Sequence, residues 1–163
     1  MVVMGVTGSG KTTVGEALAH AISATYVDGD RLHPQANIAK MSAGIPLDDA
    51  DRWPWLAKVG ETLRQRPAPV IVGCSALKRA YRDFITERAG APVLFIYLDG
   101  SRELISKRMH ERTGHFMPTS LLDSQFATLE VPDEDENAIA VAIDAPLEEI
   151  VAKIEAKFGE RAS

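Results

Sequence analysis

The stretch "GVTGSGKT", Gly5–Thr12, sets the tightest local constraint in this 163-residue chain. The apolar run Val2–Val6 leads into it and an amphipathic segment leaves it, so its glycines sit at a strand-to-helix turn. Glycine tolerates the positive φ that lets successive N–H groups converge on one point, and the following helix adds the positive end of its dipole there. The pattern G-x-x-x-x-G-K-[ST] is met in full, whereas G-x-G-x-x-G fails because Thr13 stands where its third glycine belongs. A bare glycine-rich turn would not need the lysine. The stretch therefore predicts a cradle for ATP, built from Gly5, Val6, Thr7, Gly8, Ser9, Gly10, Lys11, Thr12 and Thr13. Lys11 is placed to reach the β- and γ-phosphates and the Thr12 hydroxyl to ligate Mg²⁺.

Further apolar runs follow at Thr25–Val27, Val70–Val72, Val93–Leu98 and Ile139–Ile143. Val14, Ala17, Leu18, Ala21 and Ile22 repeat at helical spacing, as do Leu147, Ile150, Val151, Ile154 and Phe158. Helices are also expected at about 35–42, 52–65, 77–88, 101–111 and 119–129, with Pro34, Pro54 and Pro146 in first turns and Ser75, Ser101 and Thr119 as N-caps. Strands that are apolar throughout and alternate with helices predict a parallel sheet covered on both faces, in one α/β domain spanning 1–163. A net charge of −5 without a dense basic patch argues against nucleic acid as a partner. No apolar run is long enough to span a bilayer, and the N-terminus lacks a signal-peptide pattern. The single cysteine, Cys74, cannot form an internal disulfide and fits a cytoplasmic location.

Several classes of protein use such a cradle. A GTPase would carry N-K-x-D, which is missing from the chain. Motor and AAA-type ATPases are longer and place paired acids after an apolar strand; here "VLFIYLDG" ends in Asp99 followed by Gly100, so Asp99 reads as structural. A small-molecule kinase remains, and it needs a base, a substrate clamp and a lid. In "YVDGDRLHP", Asp28 and Asp30 end the second strand, the edge where open α/β sheets bind ligands. Spaced by one residue in an extended chain, they would lean to the same side, one near Mg²⁺ and one accepting a hydroxyl proton. D-G-D is equally good turn composition, and spacing alone leaves both readings open.

The block "DGDRLHPQANIAKMSAGIPLDDADRWPWL" at 28–56 closely resembles the gluconokinase family, as do "CSALKRAYRD" at 74–83 and "GHFMPTSLLDSQFATLE" at 114–130. With the glycine loop, these matches cover well over half of the chain, in the family's order. The resemblance implies a three-layer P-loop kinase fold of the shikimate-kinase-like branch, with a five-stranded parallel sheet of order 2-3-1-4-5 and a mobile lid at about 107–119. It implies D-gluconate as substrate, Asp30 as catalytic base and Asp28 as a partner of Mg²⁺. Arg52 would hold the gluconate carboxylate, against a competing pairing with Asp48, Asp49 or Asp51. Lys78 would bind the acid or the transferred phosphoryl group, and His33 and Gln125 the polyol hydroxyls. Asp144 and Pro146 would frame the adenine, and a homodimer is implied because relatives are often dimers. Relatives usually carry a few residues ahead of the first strand, so an edge of the sheet could be trimmed here.

"KRMHERTGHFMP", Lys107–Pro118, clusters cations and suits a flap closing on phosphates. Arg112 would then stabilise charge on the transferred phosphoryl group and Arg108 stack on adenine, against the plainer reading of a basic helix end. His110 and His115 are spaced wrongly for a helical zinc motif. The acidic run Glu130–Glu136 has no cation of its own and reads as a solvated loop. Trp53 and Trp55 read as core and subunit packing, and Cys74 as a small buried side chain. The glycine triplet of shikimate kinases is replaced by "VGCSALK", which disfavours that substrate. A nucleotide-binding module that regulates a partner would not need an acceptor block and a lid.

Overall fold

A computed structural model describes residues 1–113 and 119–162, without the side chains of 112, 113, 119–121, 161 and 162. Strands β1 (Val2–Met4), β2 (Thr25–Asp28), β3 (Val70–Gly73), β4 (Phe95–Asp99) and β5 (Ala138–Ala142) form one sheet in the order β2-β3-β1-β4-β5. All four pairings are parallel. β1 is the central strand, with Val2 opposite Val72 on one side and Phe95 on the other. The expected trimming of a sheet edge therefore does not occur.

Helices α1 (Lys11–Ile22), α2 (Gln35–Ser42), α3 (Asp49–Gln65), α4 (Arg79–Ala89), α5 (Arg102–Thr113), α6 (Thr119–Thr128) and α7 (Leu147–Ala162) complete the chain. Because strand side chains alternate faces, β1 feeds two cores. Val3 packs with Leu18, Ile96 and Ile154, whereas Val2 and Met4 pack with Leu56, Val59 and Ile85. The approach of α3 to α4 needs Gly60, where an added Cβ would lie 2.8 Å from the Ile85 carbonyl oxygen.

Three local expectations change. Helix α3 starts at Asp49, ahead of position 52, because Asp48 and Asp51 form a reciprocal capping box: Asp51 N–H donates to Asp48 Oδ1 at 2.8 Å and Asp48 N–H to Asp51 Oδ2 at 3.0 Å. Pro54 consequently falls inside the helix, where its missing N–H leaves the exposed Ala50 carbonyl without an i+4 donor. Ser75 does not cap α4, whose N-cap is Lys78; the Ser75 carbonyl instead accepts from Gly5 N–H at 3.3 Å. Ser101 does cap α5, its Oγ accepting from Leu104 N–H at 3.1 Å.

The third change concerns the acidic run. Arg82 is 1% exposed, and its guanidinium grips both carboxylate oxygens of Glu136 at 2.7 and 3.1 Å. It also donates to the carbonyls of Ala76 and Glu130 at 2.8 and 2.9 Å. Arg79 pairs with Asp135 at 2.8 Å. The run is thus folded onto α4 by cations more than forty residues away in sequence. Burial, the largest single influence, raises the Glu136 pKa, but the Arg82 hydrogen bonds, the Asp133 N–H and the charges of Arg82 and Arg79 together outweigh it and hold the carboxyl below the ordinary 4.5. That contribution to stability is complete above about pH 4.5 and is lost as pH falls through the lower folded-state value. Glu136→Ala would strand the Arg82 charge and is expected to cost about 3 kcal/mol in urea unfolding. A loss below about 0.5 kcal/mol, the range of ordinary surface substitutions, would show that the pair carries no such weight.

Candidate active site

The cradle forms where the tip of β1 turns into α1. Gly8 and Gly10 have φ of 78° and 95°, the left-handed region that glycine reaches without strain. Gly10 is the N-cap of α1, so the free N–H groups of the first helical turn, from Lys11 onward, open onto the loop. The Lys11 ammonium donates to the carbonyls of Gly5 and Val6, both at 3.1 Å. Burial lowers its pKa, while Asp30 and Asp28 act in the opposite direction, which places both carboxylates within electrostatic reach of the cradle. Gln125 Oε1 accepts from Thr7 N–H at 2.6 Å, tying α6 to the cradle.

Beside the cradle lies a cavity of about 250 Å³, bounded by Gly8, Gly10 and Thr13 on one side and by Arg108, Ala145 and Leu147 on the other. The Arg108 guanidinium donates to the Ile143 carbonyl at 2.6 Å, which holds it on this wall. Asp144 and Pro146 are exposed next to the cavity, and the intervening Ala145 together with Leu147 supplies the lining. The Arg112 side chain and His115 lie outside the described residues, as do all of residues 114–118 of the expected lid.

Thr12 is exposed at the mouth of the cradle, and its hydroxyl acts on the Tyr26 phenol by lowering a pKa that burial raises. Tyr26 reaches it through a slot between α1 and β3 that exists only because Gly15 and Gly73 lack side chains; a Cβ on either would overlap the tyrosine. Among the described residues no group of three or more His, Cys, Asp or Glu side chains converges to hold a metal. A cation here would depend on phosphate oxygens, helped by Thr12 and Asp28. Such a donor set fits Mg²⁺, which is held through few protein ligands beside substrate phosphates.

On the acceptor side, the two carboxylates are not arranged as in an extended strand. Asp28 ends β2 and caps a single 3₁₀ turn, Gly29–Leu32, its Oδ1 accepting from Asp30 N–H at 3.0 Å. D-G-D is therefore a turn and also brings both acids to the sheet edge. Trp55 is buried in the second core and donates from Nε1 to the Gly29 carbonyl at 2.8 Å. His33 stacks on it at 4.1 Å. Trp53 packs edge-on against Tyr81 and Phe84.

Arg52 donates to Asp49 Oδ1 at 3.3 Å and to the Tyr81 hydroxyl at 3.2 Å, so the pairing weighed against its functional role does form. It forms, however, within a larger cluster. Lys78 Nζ stands 3.6 Å from Asp49 Oδ2, and the Tyr81 hydroxyl donates to the same carboxylate. That hydrogen bond, then Lys78 and Arg52, hold the Asp49 carboxyl below the usual range. Arg52 and Lys78, which are 26 positions apart in the chain, thus meet around one carboxylate. Sequence reading weighed Asp49 only as a competitor of Arg52 and missed Tyr81, which stands three residues after Lys78, the spacing of one helical face. Cys74 is fully buried, and burial pushes its thiol up to about 12, leaving it protonated and unreactive.

An anion cradle and two carboxylates share the carboxyl edge of a 2-3-1-4-5 parallel sheet, the arrangement of a P-loop kinase. A family model described as an AAA domain matches residues 1–132. Motor and AAA-type ATPases had been set aside on length and on the missing acid pair; the match shares the P-loop domain, and the relatives named below are kinases. The gluconokinase of Gluconobacter oxydans is 46% identical, covering 96% of this chain and 92% of its own. The thermosensitive gluconokinase of Escherichia coli is 50% identical, covering 88% and 77%. A solved gluconokinase from Sinorhizobium meliloti superposes with a TM-score of 0.87 at 50% identity, over 99% of this chain and 96% of that one. The chain belongs to the gluconokinase family. Shikimate kinase from Aquifex aeolicus, at 16% identity and a TM-score of 0.60, shares the fold.

The tyrosine slot is testable. Gly73→Ala sets a methyl group against the Tyr26 hydroxyl and is expected to cost about 1–3 kcal/mol in thermal or urea unfolding. Tyr26→Phe removes the atom nearest that methyl, so the double variant should recover much of the loss. Simple additivity of the two changes would show that the hydroxyl does not fill the slot.

Proposed function

We propose that this chain transfers the γ-phosphoryl group of ATP to the 6-hydroxyl of D-gluconate, giving 6-phosphogluconate and ADP. The observation that carries this reading is that Asp28, at the end of β2, and the glycine loop after β1 flank the same Gly73 end of β3, with Asp30 on the adjoining turn; Arg52 and Lys78 meet around Asp49. The names of relatives at 46 and 50% identity support gluconate over other hydroxy acids.

In this reading the loop amides and Lys11 hold the triphosphate, and binding frees the Lys11 ammonium from the Gly5 and Val6 carbonyls. Mg²⁺, beside Thr12 and Asp28, would supply charge neutralisation of the phosphates. Arg52 and Lys78 bind the gluconate carboxylate, the first by its planar fork and the second as a point charge. In doing so they exchange the Asp49 carboxylate for that of the substrate. Asp30 orients the hydroxyl and accepts its proton, and Arg112 meets the charge on the moving phosphoryl group as segment 107–119 closes. Arg108 packs on the adenine, between the cradle and the loop around Asp144 and Pro146. The chain works as one domain, in the cytoplasm and as a homodimer, in keeping with its one thiol and with the family resemblance. None of its helices is long and apolar enough to cross a membrane, among the described residues.

A coupled ADP-release assay over a panel of sugar acids and shikimate tests the assignment. Turnover with gluconate above the ATP-only background is expected, and its absence rejects the proposal. Asp30→Asn is expected to lower kcat by about 10²–10⁴-fold while leaving the KM for ATP nearly unchanged. An unaltered kcat would remove Asp30 from the role of base.

A further inference from the structure

The two ring nitrogens of His33 are distinct only once something fixes the proton. Asn37, one helical turn further on and 3% exposed, does so. Its Nδ2 donates to the Asp51 carbonyl oxygen at 2.9 Å. A main-chain carbonyl can only accept, so turning the amide round would set two oxygens against each other. The same Nδ2 lies 3.1 Å from His33 Nδ1. An amide nitrogen offers hydrogens and no lone pair, so Nδ1 must be the acceptor and carries no proton. The proton of the neutral ring then sits on Nε2.

The plane of the ring is fixed as well. His33 stacks on Trp55 with an angle of 17° between the rings, and Trp55 is itself tied to the Gly29 carbonyl between the two site carboxylates. Among the described residues no hydrogen bond to Nε2 is made. A donor is thus held ready at the end of the 3₁₀ turn that carries Asp30.

We propose that Asn37 locks His33 as the Nε2–H tautomer, and that His33 donates this hydrogen to an oxygen of the bound hydroxy acid. Asn37 is then a positioning residue for the acceptor. Burial lowers the His33 pKa, Asp30 opposes and Arg52 adds to the lowering, so the charges facing the ring do not overturn its neutral state. A ring that can only donate to the substrate takes no proton from it, which leaves Asp30 as the base. The identity of the acceptor rests on the proposed function; the tautomer does not.

Long-range ¹H–¹⁵N correlation spectra of the full-length protein read the tautomer without substrate, with the His33 signal identified by its loss in His33→Gln. An Nε2–H pattern near neutral pH is expected; an Nδ1–H or imidazolium pattern overturns the proposal. Asn37→Ser should give a mixture of tautomers, and an unchanged spectrum would remove Asn37 from its role. Kinetics test the donor. A glutamine amide reaches the place of Nε2, whereas asparagine reaches only that of Nδ1. His33→Gln should keep the KM for gluconate within about threefold, and His33→Asn should raise it about tenfold with a smaller change in kcat. Equal losses in both variants overturn the donor role. If the unmodified protein shows no turnover of gluconate, the proposed function fails instead. The tautomer is still decided by the spectra, and the donor is then read from the same two variants with whichever acceptor the panel reveals.

Discussion

The site depends on how closely the backbone can approach itself at the carboxyl ends of β1, β2 and β3. Gly29 lies directly against the Gly73 carbonyl, Gly73 against the Tyr26 hydroxyl, and Gly5 against the side chain of Ser9. Each contact closes only because a side chain is missing. Their joint effect is that the glycine loop, the D-G-D turn and the "GCSA" segment share a single edge of the sheet. A parallel sheet with both faces covered cannot build such a site on a face, since its faces are filled by the two cores. The edge is where side chains from successive strands can converge without disturbing the packing.

How much of this was legible in the sequence follows from how local each determinant is. The cradle, the strand order and the placement of Asp28, Asp30 and Lys11 rest on short motifs or on the family pattern, and the structure brings those parts together. Pro54 was misplaced because a capping box from Asp48 and Asp51 started α3 earlier than the proline alone suggested. The acidic run was read as solvated because its cations, Arg79 and Arg82, come from another helix. Gln125 was assigned to the acceptor, yet a hydrogen bond to Thr7 across 118 positions of the chain is invisible to any local pattern. Asp49 was weighed only as a competitor of Arg52. Its partnership with Tyr81 and Lys78 appears only when α3 and α4 are packed together.

The ion pairs of α3 and α4 differ in how firmly they are held. Arg82 and Glu136 are buried and saturated with partners, so they fasten the loop before β5 and are poorly placed to change state. Arg52, Lys78 and Asp49 are partly exposed, at 31, 34 and 47%, and their contacts of 3.3 and 3.6 Å are long for charge-assisted bonds. Loose, solvent-screened pairs of this kind contribute little to folding. They are therefore cheap to exchange, which is the property the proposed function asks of cations that would release an internal carboxylate to take up an external one.

The same contrast explains why a neutral donor is useful next to these cations. A pocket that recognised its substrate by charge alone would attract inorganic phosphate and the triphosphate tail as readily as a sugar acid. A hydrogen-bonding group rewards a ligand that brings an oxygen to one particular place and leaves a cost when that oxygen is missing. Stacked on Trp55 and held through Asn37, the His33 ring has little freedom to adjust to a poorly matched ligand. In the proposed function, discrimination among acids of similar charge would fall to the ring and to Asp30, while Arg52 and Lys78 would supply attraction common to all of them.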